Sequence, residues 1–477
     1  MEIISWQFAG FTAVSLVVYH LLPRRGQNFW LLVCSLYFAA SWKILFAEIL
    51  LFSILLNYFL GRMIGKRYLF AKSWLIAGIC LNTAGLLFFR FSGNDLFELL
   101  SRYLSGGSPL TTQILIPIGF SFYSLQAVSY LVDVYQKQLP LENDLIDFAV
   151  FLAYFPHLLS GPIERGKTFL PQLKIPRLVV NSTLAQGAWL ILLGLFRKLV
   201  IASLLFSIMP EGIFPRPLEF AIKDRWISLL VYAFWLYNDF AGYTSIVRGI
   251  SLLFGIQLSA NFRQPFFSRT ILEFWNRWHM SLSFWLRDYV FFPLQRTLLR
   301  KGYQSRSLTR IVLPPLVTMM VSGMWHNTTL ALLAWGFLHG TYQAVDHITS
   351  QKAGYLPPRN RPGWQQLLLS VKVYLFLLPT WILFATGGLK LAIAFSSSLF
   401  IYGGITRVRP PELVIPAIAL LLSFVLDFLQ EKQTDKEAIL SLPKLLQSFI
   451  IAFVILCVLL TVLWSNVPVA AFVYQGF

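Results

Sequence analysis

An all-α integral membrane protein that crosses the bilayer many times is the fold class this sequence predicts, and three observations predict it. Of the 477 residues, 57% are hydrophobic, and the mean hydropathy is positive. Only 13% are Asp, Glu, Lys or Arg, against about 25% in an ordinary soluble domain. So few charges do not cover the surface of a soluble protein this large, and lipid is the solvent that the excess apolar surface needs. Finally, the apolar residues form long continuous runs. A membrane β-barrel instead reads as segments of about ten residues alternating in character. Inside hydrocarbon the backbone must bond to itself, which leaves helices.

The candidate membrane segments lie near 5–23, 28–43, 44–61, 73–90, 114–134, 146–161, 184–207, 226–256, 270–295, 309–325, 329–345, 366–386, 388–402, 412–430 and 446–465. Several are shorter than the ~20 residues of a perpendicular span, so about 10–13 crossings plus re-entrant or interfacial helices are expected. The opening MEIISWQFAG lacks the basic start of a secretory signal and reads as a retained first span. No repeat or soluble appendage interrupts the pattern, so one membrane domain over 1–477 is expected, with its motif-bearing core at about 110–345.

The 39 Lys and Arg against 21 Asp and Glu give a formal charge of +18. The basic residues collect between apolar runs, so nucleic acid is not an expected partner. RMIGKRYLFAK at 62–72 and the stretch 296–310 are basic and acid-free, which charge bias places on the cytoplasmic side. The polar runs at 351–363 and 431–438 read as loops. Cys34, Cys80 and Cys457 lie within or beside apolar runs and form no spaced motif.

Polar groups that interrupt apolar runs are the informative ones. Asp239 in YNDFAGYTSIVRG follows an apolar run and needs either an ion-pair partner, with Arg248 a candidate, or a watery cavity. Residues 261–294 place Arg263, Arg269, Glu273, Arg277, His279, Arg287 and Asp288 among many aromatics. Glu273 and Arg277 are four apart and face each other on a helix. The segment reads either as an amphipathic surface helix or as a half-buried helix at a cavity mouth whose arginines meet an anionic ligand. His326 lies between two apolar runs beside Gly323, Trp325 and Asn327; His339 lies between Gly336 and Gly340. Histidine exchanges protons near neutral pH, so His326 is the leading catalytic candidate, with His339 in support. Gln126 and Asp133 read as polar contacts between helices, and Glu164 and Arg165 as an aqueous edge.

No CxxC, HExxH, phosphate loop or GxSxG is present, so a catalytic metal, nucleotide hydrolysis and serine hydrolysis are not expected. A transporter or flippase fits a many-span chain with a polar path equally well at this level.

PIGFSFYSLQAVSYLVDVY at 117–135, FPHLLSGPIER at 155–165, YNDFAGYTSIVRGIS at 237–251, NFRQPF at 261–266, FWNRWHMSLSFWLRDYVFFPL at 274–294, GMWHN at 323–327 and WGFLHG at 335–340 occur in one order. In these pieces the chain resembles the membrane-bound O-acyltransferases. The nearest resemblance is to the bacterial branch of alginate and peptidoglycan O-acetylation proteins, related to the teichoic acid D-alanyl transfer protein. The resemblance implies a helical bundle around a transmembrane tunnel in the inner or plasma membrane. It makes His326 and His279 the catalytic candidates; by their charge and polarity, Arg277, Arg287, Asp239 and Asn276 are the candidates for holding the donor. It also implies acetyl-CoA as donor with no tightly bound cofactor, a polysaccharide acceptor, contact with membrane lipid, and an extracytoplasmic acetyltransferase or esterase-like partner; the alternative is transfer of D-alanine or a longer acyl chain to a polymer, lipid or protein. The family's motif reads WHG, whereas here Asn327 follows His326.

Overall fold

The computed structural model describes residues 1–66, 70–91, 116–177, 180–304, 307–350, 362–432 and 442–464. The loops expected at 351–363 and 431–438 lie largely outside this set. Every described element is helical, apart from an isolated bridge between Phe220 and Ile405. Among the described residues, seven helices are long and apolar enough to span a bilayer: Ile44–Gly65, Ala71–Phe89, Asn181–Ser207, Leu308–His326, Gly363–Thr386, Pro410–Glu431 and Lys444–Leu463. The chain is thus a multi-pass membrane protein. Other apolar runs form shorter or more polar helices.

The chain parts into two compact units. The first comprises Met1–Ile191 with Thr244–Ser259. It holds α1 (Trp6–Leu21), α2 (Arg24–Ala40), α3 (Ile44–Gly65), α4 (Ala71–Phe91), α5 (Phe120–Tyr135), α6 (Leu145–Ala153), α7 (Phe155–Leu158), α8 (Gly166–Lys174) and most of α9 (Asn181–Leu195). Buried amides tie its helices together. Asn57 of α3 and Asn82 of α4 exchange side-chain hydrogen bonds at 3.3 and 2.8 Å, and Gln126 of α5 meets His157 of α7 at 3.3 Å. Gln126 is therefore the interhelical contact its setting suggested.

Glu164 departs from expectation. It is buried at 1% exposure and accepts hydrogen bonds from the Ser259 backbone N–H at 2.6 Å and the Ser259 hydroxyl at 3.1 Å. Glu164 thus folds inward to satisfy a turn, and does not mark an aqueous edge. Burial pushes the Glu164 carboxyl up to about 7, with the Ser259 hydrogen bonds and the charges of Arg248 and Arg165 opposing the shift.

The second unit comprises Leu192–Tyr243 and the chain from Ala260 onward. A π-helical stretch, Phe196–Ala202, leads into α10 (Ser203–Ser207). Then come α11 (Ile222–Leu253), α12 (Ile271–Trp275), α13 (Met280–Leu286), a second π-helical stretch (Arg287–Phe291) and α14 (Phe292–Arg300). The long helices α15 (Leu308–His326), α16 (Leu330–Ser350) and α17 (Gly363–Thr386) follow, then α18 (Leu389–Ser398), α19 (Val414–Lys432) and α20 (Lys444–Trp464).

The single helix expected near 270–295 is broken instead. Thr270 caps α12 by accepting the Glu273 N–H at 3.0 Å. His279 then takes a left-handed conformation with φ +42°, and the Met280 N–H goes to the Asn261 carbonyl at 2.8 Å. That bond replaces a continuing helical one, so the chain turns and presents His279 inward.

α15 and α16 form a hairpin packed backbone to backbone. A Cβ at Gly323 would lie 2.1 Å from the Leu332 carbonyl oxygen, and one at Gly336 would lie 2.3 Å from that of Met319. Only glycine permits this approach. The glycines flanking the two histidines therefore set how closely the two helices pass.

Candidate active site

The hairpin brings His326, at the end of α15, and His339, in the middle of α16, against the same indole. The Trp335 ring centroid is 5.6 Å from that of His326 and 4.5 Å from that of His339, both edge to face. Phe384 of α17 closes on His326 at 5.3 Å. Trp325 packs on His326 at 4.9 Å and on His279 at 6.0 Å, and Phe240 of α11 holds His279 from another side at 5.0 Å. All three histidines are at least 97% buried. The two predicted catalytic residues thus share one aromatic cluster with His339.

The Trp275 Nε1–H donates to His339 Nδ1 at 3.3 Å. That bond requires an unprotonated Nδ1, so a neutral His339 carries its proton on Nε2. Trp275 also lines a cleft of about 140 Å³ with Asn276, Ser283, Phe284, Arg287 and Gln343. Two predicted donor-holding residues, Asn276 and Arg287, are therefore on one cavity wall. Arg287 is half-exposed, pairs with Asp288 at 3.2 Å and lies 4.5 Å over the Phe284 ring. Rings run without a gap from this cleft to His326, through Trp275, His339 and Trp335. A larger open cleft of about 700 Å³, lined by Glu211, Arg216, Glu219, Arg407 and Glu412, contains none of the predicted residues.

The other two donor candidates are held by opposite charge. Arg277, 2% exposed, makes two hydrogen bonds to Glu431 at 2.6 and 2.8 Å and one to Glu273 at 2.8 Å. The Glu273–Arg277 pair foreseen from their spacing is present. Burial alone raises the Glu273 carboxyl, but the Arg269 N–H and the Arg277 and Arg269 charges outweigh it and hold the group below its ordinary value. Asp239 forms a buried ion pair with Lys198 of the π-helical stretch. Beside it Arg197 pairs with Asp427 at 2.5 Å and donates to Asn238 at 3.1 Å. Lys198, Arg197, Asp427 and Glu431 were not singled out from the sequence. The signal for the first two was the Arg-Lys step inside the apolar run LFRKLVIASLLF. A π-helical turn adds a residue to the helix and is frequent at functional sites.

Asn327, where the resemblance led to glycine being expected, has φ −163°, extended backbone open to any residue. Its side-chain oxygen accepts the Thr328 N–H at 2.7 Å. Asparagine thus adds a hydrogen bond to the hairpin turn without backbone strain. No group of three or more His, Cys, Asp or Glu able to hold a metal occurs among the described residues.

Residues 139–362 match the model of the MBOAT, membrane-bound O-acyltransferase family. The chain is 32% identical over 403 residues to a probable alginate O-acetylase AlgI of Azotobacter vinelandii, covering 82% of this chain and 76% of that protein. It is 27% identical over 420 residues to a peptidoglycan O-acetyltransferase of Helicobacter pylori, covering 80% and 76%. A teichoic acid D-alanyltransferase of Streptococcus thermophilus matches at 37% over 237 residues, covering 48% and 56%.

Proposed function

Since the chain belongs to the membrane-bound O-acyltransferase family and is an O-acyltransferase of the multi-pass kind, we propose that it transfers an acetyl group from a cytoplasmic thioester, acetyl-CoA, toward an exported or envelope polysaccharide. The alginate and peptidoglycan O-acetylation relatives support this choice of acyl group and acceptor. One observation carries the mechanism: the ring stack from the Arg287 cleft to His326.

The run of α15 supports a cytoplasmic entry for the donor. Its first turn adjoins the basic stretch 296–310, which charge bias puts in the cytoplasm. Its 19 residues rise about 28 Å to His326. Thr318 and Met319, which line the cleft, lie two turns short of His326 on the cytoplasmic side. A donor entering at Arg287 and Asn276 meets Trp275 first and His326 last.

In this reading a neutral His326 takes the proton of an acceptor hydroxyl as its oxygen attacks the thioester carbonyl. The carbon–sulfur bond breaks, and the proton returns to the departing thiolate. The surrounding rings exclude water and so suppress hydrolysis. His279 orients the acceptor. Arg287, stacked on Phe284, receives donor phosphate, with Asn276 beside it. Arg277 and Asp239, engaged by Glu431 and Lys198, fix the helices that carry the site. An extracytoplasmic acetyltransferase or esterase-like protein completes transfer to the polymer.

The purified chain in detergent, offered acetyl-CoA, a carrier-bound D-alanyl thioester and long-chain acyl-CoA, tests this reading. Selective acetyl-CoA consumption supports it. Selective use of D-alanine favours the alternative that the Streptococcus thermophilus match raises. No thioester consumption, together with unchanged polymer acetyl esters after gene deletion, overturns it.

A further inference from the structure

The rings around His326 include hydrogen-bond donors for which the described residues supply no acceptor. The Trp335 indole N–H is enclosed and without a partner, although its residue is only 3% exposed. The Trp381 indole N–H and the Ser322 hydroxyl are in the same condition. Ser322 lies one turn before His326 on α15, and Trp381 lies one turn before Phe384, which touches His326. A buried tryptophan usually finds an acceptor. Leaving a buried donor unpaired costs free energy, so the Trp335 N–H beside His326 is a donor held ready for an acceptor that the described residues do not supply. A transient negative oxygen is such an acceptor.

Trp335 has the strongest claim of the three. It touches both His326 and His339, and its backbone is fixed because Gly336 presses against the Met319 carbonyl. The indole is packed edge to face between the two imidazoles, which favours one setting for its donor.

We propose that the Trp335 Nε1–H is the hydrogen-bond donor to the acyl carbonyl oxygen during transfer, a catalytic role beside the proton transfer at His326. It rests on the acyl-transfer reading above. As the acceptor oxygen bonds to the carbonyl carbon, the carbonyl π pair moves onto its oxygen, and Trp335 donates to that oxyanion. As the carbon–sulfur bond breaks, the pair returns and the contact weakens.

Trp335→Phe keeps an aromatic ring and removes the donor. Replacing Trp335 by 3-benzothienylalanine keeps the bicyclic shape and puts sulfur where the N–H was. Thiol release from acetyl-CoA by the full chain, in membranes of its own cell with the envelope proteins and polysaccharide retained, is read for both, with His326→Ala alongside. The proposal predicts that kcat falls about 10²–10³-fold in both, while the KM for acetyl-CoA stays within about threefold, as expected when an interaction is made mainly in the transition state. A benzothienyl variant with near-normal kcat beside an inactive His326→Ala overturns the Trp335 role and leaves the acyl-transfer reading standing. An active His326→Ala overturns that reading itself.

Discussion

Two kinds of buried polar residue share the second unit, and they are packed differently. Asp239, Arg197, Arg277 and their partners Lys198, Asp427 and Glu431 meet opposite charges from distant parts of the chain. His279, His326 and His339 meet aromatic rings, on a hairpin that glycine draws tight. A charge neutralised inside the bundle holds helices in register. An imidazole enclosed by rings is screened from solvent, the setting in which a base can act without competing hydrolysis. The charged frame and the aromatic chamber are therefore separable by mutation.

The frame breaks most severely. Lys198→Met leaves Asp239 without that cation, and loss of one partner of a buried pair costs about 3–5 kcal/mol. A large drop in thermal midpoint in detergent is expected. The double variant Lys198→Met with Asp239→Leu recovers most of that stability, and it keeps acyl transfer if the pair is purely a frame. A folded but inactive double variant would move Asp239 into the chamber.

Gly336→Ala comes next. Its Cβ would sit 2.3 Å from a backbone oxygen, so the hairpin must part, at about 1–3 kcal/mol by analogy with overpacked cores. Activity should fall more than the thermal midpoint alone explains, because Trp335 and His326 separate. Equal losses of both would mean that the glycine serves stability only.

Glu164, in the first unit, gives the smallest effect. Its carboxyl is raised from 4.5 to about 7 in the fold. Its contribution to stability is complete below the unfolded value and is lost as pH rises through about 7. The thermal midpoint of the protein should decline between pH 5 and 8 by a component that Glu164→Gln abolishes. An unchanged decline in the variant assigns it to other groups.

Much of the chamber was legible in the sequence, because its parts are local. GMWHN and WGFLHG carry the histidines with the very indoles and glycines that enclose them. The Glu273–Arg277 pair followed from a four-residue spacing. Partners far apart in the chain were not legible. Glu431 lies 154 residues from Arg277, and no local pattern announces that distance. The break at His279 was also hidden, since its left-handed backbone is not marked by glycine. Glu164 misled because a charged residue after a Gly-Pro pair reads as surface, whereas the Ser259 turn pulls it inward.

If His326 takes the acceptor proton while the rest of the chain holds its surroundings in place, acyl transfer depends on that one imidazole. His326→Ala, with membrane level and thermal midpoint verified as unchanged, should lose at least about 10²-fold in kcat for transfer from acetyl-CoA, the scale of a missing general base. Transfer near the unaltered rate in that folded variant would rule out His326 as the base.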